Sequence, residues 1–303
     1  VIRKDDQGPT QDSSKVRAAE QRLASEIATS FDELGPSMAD QVAALVYTQL
    51  GTMTAEQLDQ ATDAVIEFTA QQVADQIEFD GWDVIVEPAQ EAMAEAAEDA
   101  VVSTVTEMTT GDGAIAQLGV DERSALVNQV YQDALEYAEQ RAAELIGMRR
   151  DAEGNLVPNP DASMTITQTT RDKVKQIVVD ALGPAPEGEE APTIEERLLA
   201  LKDDVTGSPL FSETRATFIA RAELAMAHGQ GALESFRAMA AKTGFQMEKA
   251  WTTSEDGKVE ETCLLNAAAG WIPLEEPFPS GDMTYPAHPR CRCAVKARVK
   301  PGT

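Results

Sequence analysis

The chain has 303 residues, 43% of them hydrophobic, and carries 52 Asp and Glu against 25 Lys and Arg, a net charge of −27. That length holds about two domains with an ample core, and no apolar run approaches the roughly 20 residues of a membrane span. Between Arg22 and Arg123 there are 21 carboxylates and no Lys or Arg. Such a surface repels a phosphate backbone and excludes strong duplex-DNA binding by the acidic half.

The first fourteen residues, VIRKDDQGPTQDSS, are polar, contain no signal-peptide apolar stretch, and read as a flexible tail or an arm that orders on a partner. Val16, Leu23, Ile27, Phe31 and Leu34 then recur at helical spacing. Gly35-Pro36 predicts a stop, with a second helix over Met38 to Leu50. Thr54 to Phe79 predicts a third helix. Thr54 and Gln57 form its capping box, and Leu58, Ala61, Val65 and Phe68 share one face. Trp82 reads equally as an interface anchor or a core residue. Glu87 to Met108 is Ala- and Glu-rich, buries little area alone, and calls for a neighbouring surface. After a turn at Gly111 to Gly113 comes a long helix, Asp121 to Met148, then a loop over Asp151 to Ser163. A helix over Thr165 to Leu182 precedes GPAPEGEEAP, residues 183 to 192, an exposed linker. Helices over Thr193 to Val205 and Phe211 to Thr243 follow, the second with a candidate break at Gly229 and Gly231. His228 in it is a packing or capping residue, Arg215 and Arg221 are structural and could pair with acids of the linker or hairpin, and Arg221 and Glu223 face different sides of the helix. Beyond Gly244, FQMEKAWTT, the SEDGK turn and VEETC predict a hairpin. Cys263 to Ala269 is a helical turn ended by Gly270. Gly270 to Leu274, apolar and short, reads as a core strand, with an exposed patch for a partner as the alternative. The fold class is mainly α: an elongated helical N-terminal part and a small α+β C-terminal module.

All three cysteines and one of the two histidines fall within 31 residues: Cys263, His288, Cys291 and Cys293. Four such donors are the number a closed tetrahedral Zn²⁺ site needs. The C-x-C spacing departs from the usual C-x₂₋₄-C pairs, so packed thiols and a Cys263–Cys293 disulfide stand beside zinc as alternatives. Arg290, Arg292, Lys296, Arg298 and Lys300 make this end basic, with no acid after Asp282.

The segment from Trp251, WTTSEDGKVEETCLLNAAAGWIPLEEPFPSGDMTYPAHPRCRCAV, resembles the C-terminal signature of the phage Mu F-like minor head proteins, the phage head morphogenesis family. The resemblance is carried by Trp251, Asp256, Cys263, Gly270 to Leu274, Phe278 to Gly281, and His288 to Cys293, with RAAELIGMRR (Arg141 to Arg150) and FIARAELAMAHGQGAL (Phe218 to Leu233) upstream. It covers roughly residues 120 to 297. Many relatives carry C-x-x-C where this chain has Cys263-Leu264-Leu265-Asn266, so Cys263 alone is left as a ligand there. Charge and helical spacing give an acidic helical segment over 1–118, and the resemblance implies a Mu F-like domain over 119–303, with its compact module at 244–297. It implies a minor head protein acting in assembly near the portal vertex, in the virion, and in the host cytoplasm during assembly. The implied partners are portal or major capsid protein and further copies of the chain, with no membrane. Alternatives are a protein ejected with the DNA, a phage-borne effector, or a zinc-stabilised adaptor. No nucleophile–base pair and no glycine-rich phosphate loop appears, so the expectation is no enzyme.

Overall fold

The computed structural model describes residues 13–110, 115, 118–185, 188–254 and 258–302. The N-terminal arm up to residue 12, the Gly111–Gly113 turn, and Asp256 with most of the SEDGK turn lie outside the described residues. Helices dominate: α1 (Ser14–Leu50), α2 (Ala55–Asp59), α3 (Asp63–Gln76), α4 (Val86–Thr109), α5 (Val120–Leu145), α6 (Ile166–Leu182), α7 (Ile194–Thr206), α8 (Glu213–Thr243) and α9 (Glu261–Ala268). The strands are β1 (Met148–Arg150), β2 (Leu156–Pro158), β3 (Met247–Thr252), β4 (Ile272–Pro273) and β5 (Ala294–Val299). None of the described helices is long and apolar enough to cross a membrane. Mainly α with a small α+β C-terminal module is the architecture observed.

The chain forms two compact units that interleave along the sequence. One gathers the chain up to Ala24, Pro88–Ala142 and the chain from Thr217; the other gathers Ser25–Glu87 and Ala143–Ala216. This grouping is by contact, whereas the sequence division at 118/119 follows the family resemblance.

In the second unit the core forms around Phe31, Trp82 and Phe211. Trp82 is 2% exposed and packs against Phe31 and, edge-on, against Phe79 at 5.0 Å. It is a core residue, not an interface anchor. The expected break at Pro36 is absent, since α1 runs through it. Pro36 and Asp32, whose carbonyl it leaves without an amide, are both exposed. Gly35 beneath it is buried against Phe211, and Phe31, Met38 and Val42 hold the helix on both sides. The single helix expected over Thr54 to Phe79 is two. The Thr54–Gln57 capping box is present, but the chain turns at Gln60–Thr62 and α3 starts in a new phase. It buries Ile66, Ala70 and Val73 and leaves Val65 and Phe68 exposed, the reverse of the face read from periodicity. Thr165 caps α6, and Thr193 with Glu196 boxes α7. Arg197, buried, donates to the Ala181 and Gly183 carbonyls and so satisfies the open C-terminus of α6. Arg215 donates to the Leu210 and Ile166 carbonyls and lies over the Phe31 ring, and burial lowers its pKa to about 10. The stretch read as a loop from Asp151 contains the rest of a small hairpin. The β1 and β2 strands pair antiparallel around an Asp151 carboxylate that accepts the Glu153 and Asn155 amides.

In the first unit α4, α5 and α8 each bury a set of small side chains. Ala96, Ala97 and Ala100 of α4, Ala134, Ala138 and Ala142 of α5, and Ala220, Ala227 and Ala232 of α8 are each no more than 2% exposed. Small residues let backbones approach, so α4 gains close packing where its side chains offer little area. Gly231 shows how near: a Cβ there would sit 2.7 Å from the Ala97 carbonyl oxygen. The helix α8 is continuous through Gly229 and Gly231, and the expected break does not occur. Arg141 and Glu223, both buried, form a two-bond ion pair at 2.8 Å, while Arg221, on another side of α8, pairs with Glu20 of α1.

Candidate metal centre

The C-terminal module is built on a three-stranded antiparallel sheet of order β4-β3-β5. The hairpin expected between FQMEKAWTT and VEETC is not formed. The partners of β3 are β4 and, over its whole length, β5 (Met247↔Val299 to Thr252↔Ala294). The chain over 261–268 is α9, closed by Gly270 at φ +68°. Alternation in Val295-Lys296-Ala297-Arg298-Val299 is the signal that marks β5 in the sequence. Trp251, Cys263, Leu274, Phe278, Tyr285, Cys291, Cys293 and Val295 form one core with Ala100 of α4 and Phe236 and Met239 of α8.

Two close approaches dock this core. At Gly229 a Cβ would fall 2.1 Å from the Tyr285 carbonyl oxygen. Beside it, His228 is fully buried; its Nδ1 lies 2.6 Å from the Tyr285 hydroxyl and its Nε2 faces Asp99 at 3.7 Å. His228 is a packing residue, as its place in α8 suggested. The facing imidazole holds the Asp99 carboxyl below its usual range, against the opposing effect of burial. Burial pushes the Tyr285 hydroxyl far up.

His288, Pro289, Arg290 and Cys291 make a turn closed by the Cys291 amide on the His288 carbonyl at 3.1 Å. Proline at its second position and φ +69° at Arg290 define a type II turn, whose third position favours glycine. Arg290 holds this sparsely allowed backbone while its guanidinium stacks 4.1 Å from the Phe218 ring centroid. The turn brings His288 and Cys291 together, and α9 supplies Cys263. The ligand atoms of these three residues all lie within 4.8 Å of one another. Cys293 stands outside that set; its thiol hydrogen-bonds Cys291. All three cysteines are free and buried. The Cys293 bond and the Cys293 and Ala287 amides lower Cys291 to about 6, while burial pushes Cys263 up to about 12 and the bond to Cys291 raises Cys293 strongly.

The donor set fits a zinc ion. Two sulfurs about 2.3 Å from a tetrahedral Zn²⁺ lie about 3.8 Å apart; Cys263 and Cys291 Sγ are 3.7 Å apart. His288 Nδ1 is 2.8 Å from the Pro289 carbonyl, so donation there leaves the lone pair on Nε2. Asn266 is no ligand. Fully buried, its amide donates to Ser280 Oγ and accepts the Ser280 amide, which ties α9 to the Phe278–Gly281 turn.

Residues 172–296 match the family model described as Phage Mu protein F like protein. This segment is phage Mu F-like. The match takes in the Phe218–Leu233 stretch and the signature from Trp251 to Cys293; Arg141–Arg150 lies before it. No curated protein and no solved structure matches the chain.

Proposed function

We propose that this phage Mu F-like chain is a minor head protein of a tailed phage or prophage, acting in head assembly at or near the portal vertex and in DNA packaging or exit. The observation that carries the reading is the convergence of the signature. Residues spread from Trp251 to Cys293 within the matched segment meet in one core. The chain acts by binding and not by catalysis, with portal or major capsid protein and further copies of itself as partners. Its buried polar groups serve packing: Arg141 engages Glu223, and His228 engages Tyr285. We propose further that Cys263, His288 and Cys291 hold a structural Zn²⁺, and that Cys293, which stands outside that set bonded to Cys291, turns to it as the fourth donor on metal binding. The ion supplies a cross-link between α9 and the Pro-rich terminal turn. The test is protein composition of purified heads, with a portal-vertex reconstruction free of imposed symmetry. A minor head protein stays in heads that have released their DNA and gives density beside the portal. Loss of the chain from emptied heads would replace this reading with ejection alongside the DNA.

A further inference from the structure

No described strand covers either edge of the C-terminal sheet, and the longer edge is β5, six residues against the two of β4. In the order β4-β3-β5, β5 has a neighbour on one side only. The Lys300 amide donates to the Gln246 carbonyl at 2.8 Å, which marks the even-numbered residues of β5 as those bonded to β3. The Leu274 amide on the Met247 carbonyl confirms the same phase on the other side of β3. The N–H and C=O groups of Val295, Ala297 and Val299 therefore point away from the sheet. Val295 is buried, so the accessible edge runs from Ala297 to Lys300.

The charge along this edge selects its partner. Lys296 and Arg298 share the outer face of β5, with Lys300 next in the row, and no acid follows Asp282. Arg298 is held extended by Glu248 at 2.9 Å and by the Trp271 ring at 4.1 Å, and Lys296 lies 5.4 Å from the same ring. The indole face is thus already stacked, which disfavours its use as a platform for nucleic-acid bases. Pairing β5 with β5 of a second copy would set these cations against one another, which is destabilising. We propose that the β5 edge binds, by strand addition, an extended segment of another protein that carries acidic residues at alternate positions. The proposal stands apart from the head-protein reading and does not need it.

The test uses the full chain and a dye-labelled, capped heptapeptide alternating Thr and Glu, followed by fluorescence anisotropy. Binding should be saturable and weakened by salt. Ala297→Pro removes an outward-facing amide and no bond to β3, so proline is tolerated there as it is at other sheet edges. It should weaken binding by about tenfold or more. Lys296→Glu with Lys300→Glu should do likewise without touching the backbone, and decides the matter if Ala297→Pro does not fold. A Thr/Lys heptapeptide should not bind. The proposal is overturned by no saturable binding up to about 1 mM peptide. It is equally overturned by unchanged affinity in both variants, by equal binding of the Lys peptide, or by a homodimer of the chain that Ala297→Pro dissolves.

Discussion

Gly229→Ala should destabilise the C-terminal module, against the helix-propensity rule. In an open helix interior, Gly to Ala gains about 1 kcal/mol. Here the new methyl would start 2.1 Å from the Tyr285 carbonyl oxygen, a backbone atom that cannot rotate aside. Ordinary contact begins beyond 3 Å, so α8 and the Tyr285 segment must part by about 1 Å, an overpacking cost of about 1–3 kcal/mol. That shift also stretches the 2.6 Å contact between His228 and the Tyr285 hydroxyl, worth about 1 kcal/mol when buried. The balance is a loss of about 2 kcal/mol, or roughly a 30-fold rise in the open population. Native-state thiol labelling of metal-free protein reads this directly, because Cys263, Cys291 and Cys293 are all buried in the same core and react only when it opens. Gly231→Ala, with 2.7 Å to the Ala97 carbonyl, should shift labelling the same way by less. Labelling by Gly229→Ala as slow as wild type, or slower, would refute the close-approach argument.

Protein purified without chelator should hold about one zinc per chain, lost in Cys263→Ser and Cys291→Ser, and chelation should lower the melting temperature. Metal-free protein with three titratable thiols would leave packed cysteines instead. Arg290→Ala keeps the left-handed backbone and loses the Phe218 stack, whereas Arg290→Gly relieves the backbone. In a denaturant titration the Gly variant should exceed the Ala variant by about 1 kcal/mol, and equal midpoints would remove the strain argument. The Asp99 carboxyl is depressed, so the stability it contributes is complete above its unfolded pKa of about 3.9 and is lost as pH falls through the lower folded value. Asp99→Asn should lower the melting temperature near neutrality and flatten its fall below about pH 4; parallel acid limbs would contradict this. A fragment of residues 1–120 lacks α8, so it should be poorly helical at low salt, gain helicity as salt or acid relieves carboxylate repulsion, and fail to bind duplex DNA. Cooperative melting of that fragment at low salt, or salt-sensitive DNA binding by it, would count against the reading.

What the sequence made legible was local chemistry. The Thr54–Gln57 capping box, the starts of α6 and α7 near Thr165 and Thr193, and the meeting of Cys263, His288 and Cys291 are present where residue type and spacing placed them. What it hid depended on distant partners. Pro36 reads as a stop because the Phe211 side chain packed on Gly35 lies some 175 residues away. Val65 and Phe68 read as core because the turn at Gln60–Thr62 that shifts the phase of α3 carries no Gly or Pro. Cys263 pairs with Cys291 through a turn whose third residue is Arg, not the Gly that would announce it. The Ala face of α4 looked weak because area was counted and approach distance was not; Gly231, one element away, is the missing half of that contact.

The interleaving of the two units imposes an order on synthesis. By the time Ala216 has left the ribosome, one unit has every residue it needs. The other, started at the first helix and resumed at Pro88, waits for the final 87 residues from Thr217. At roughly 5–20 residues per second that wait lasts about 4–17 s. Throughout it, Ala97 and Ala100 of α4 exist without Gly231 of α8, which packs against them. The stretch that waits includes all of α4, where no Lys or Arg offsets the carboxylates between Arg22 and Arg123, so like-charge repulsion opposes association of α4 segments over that interval.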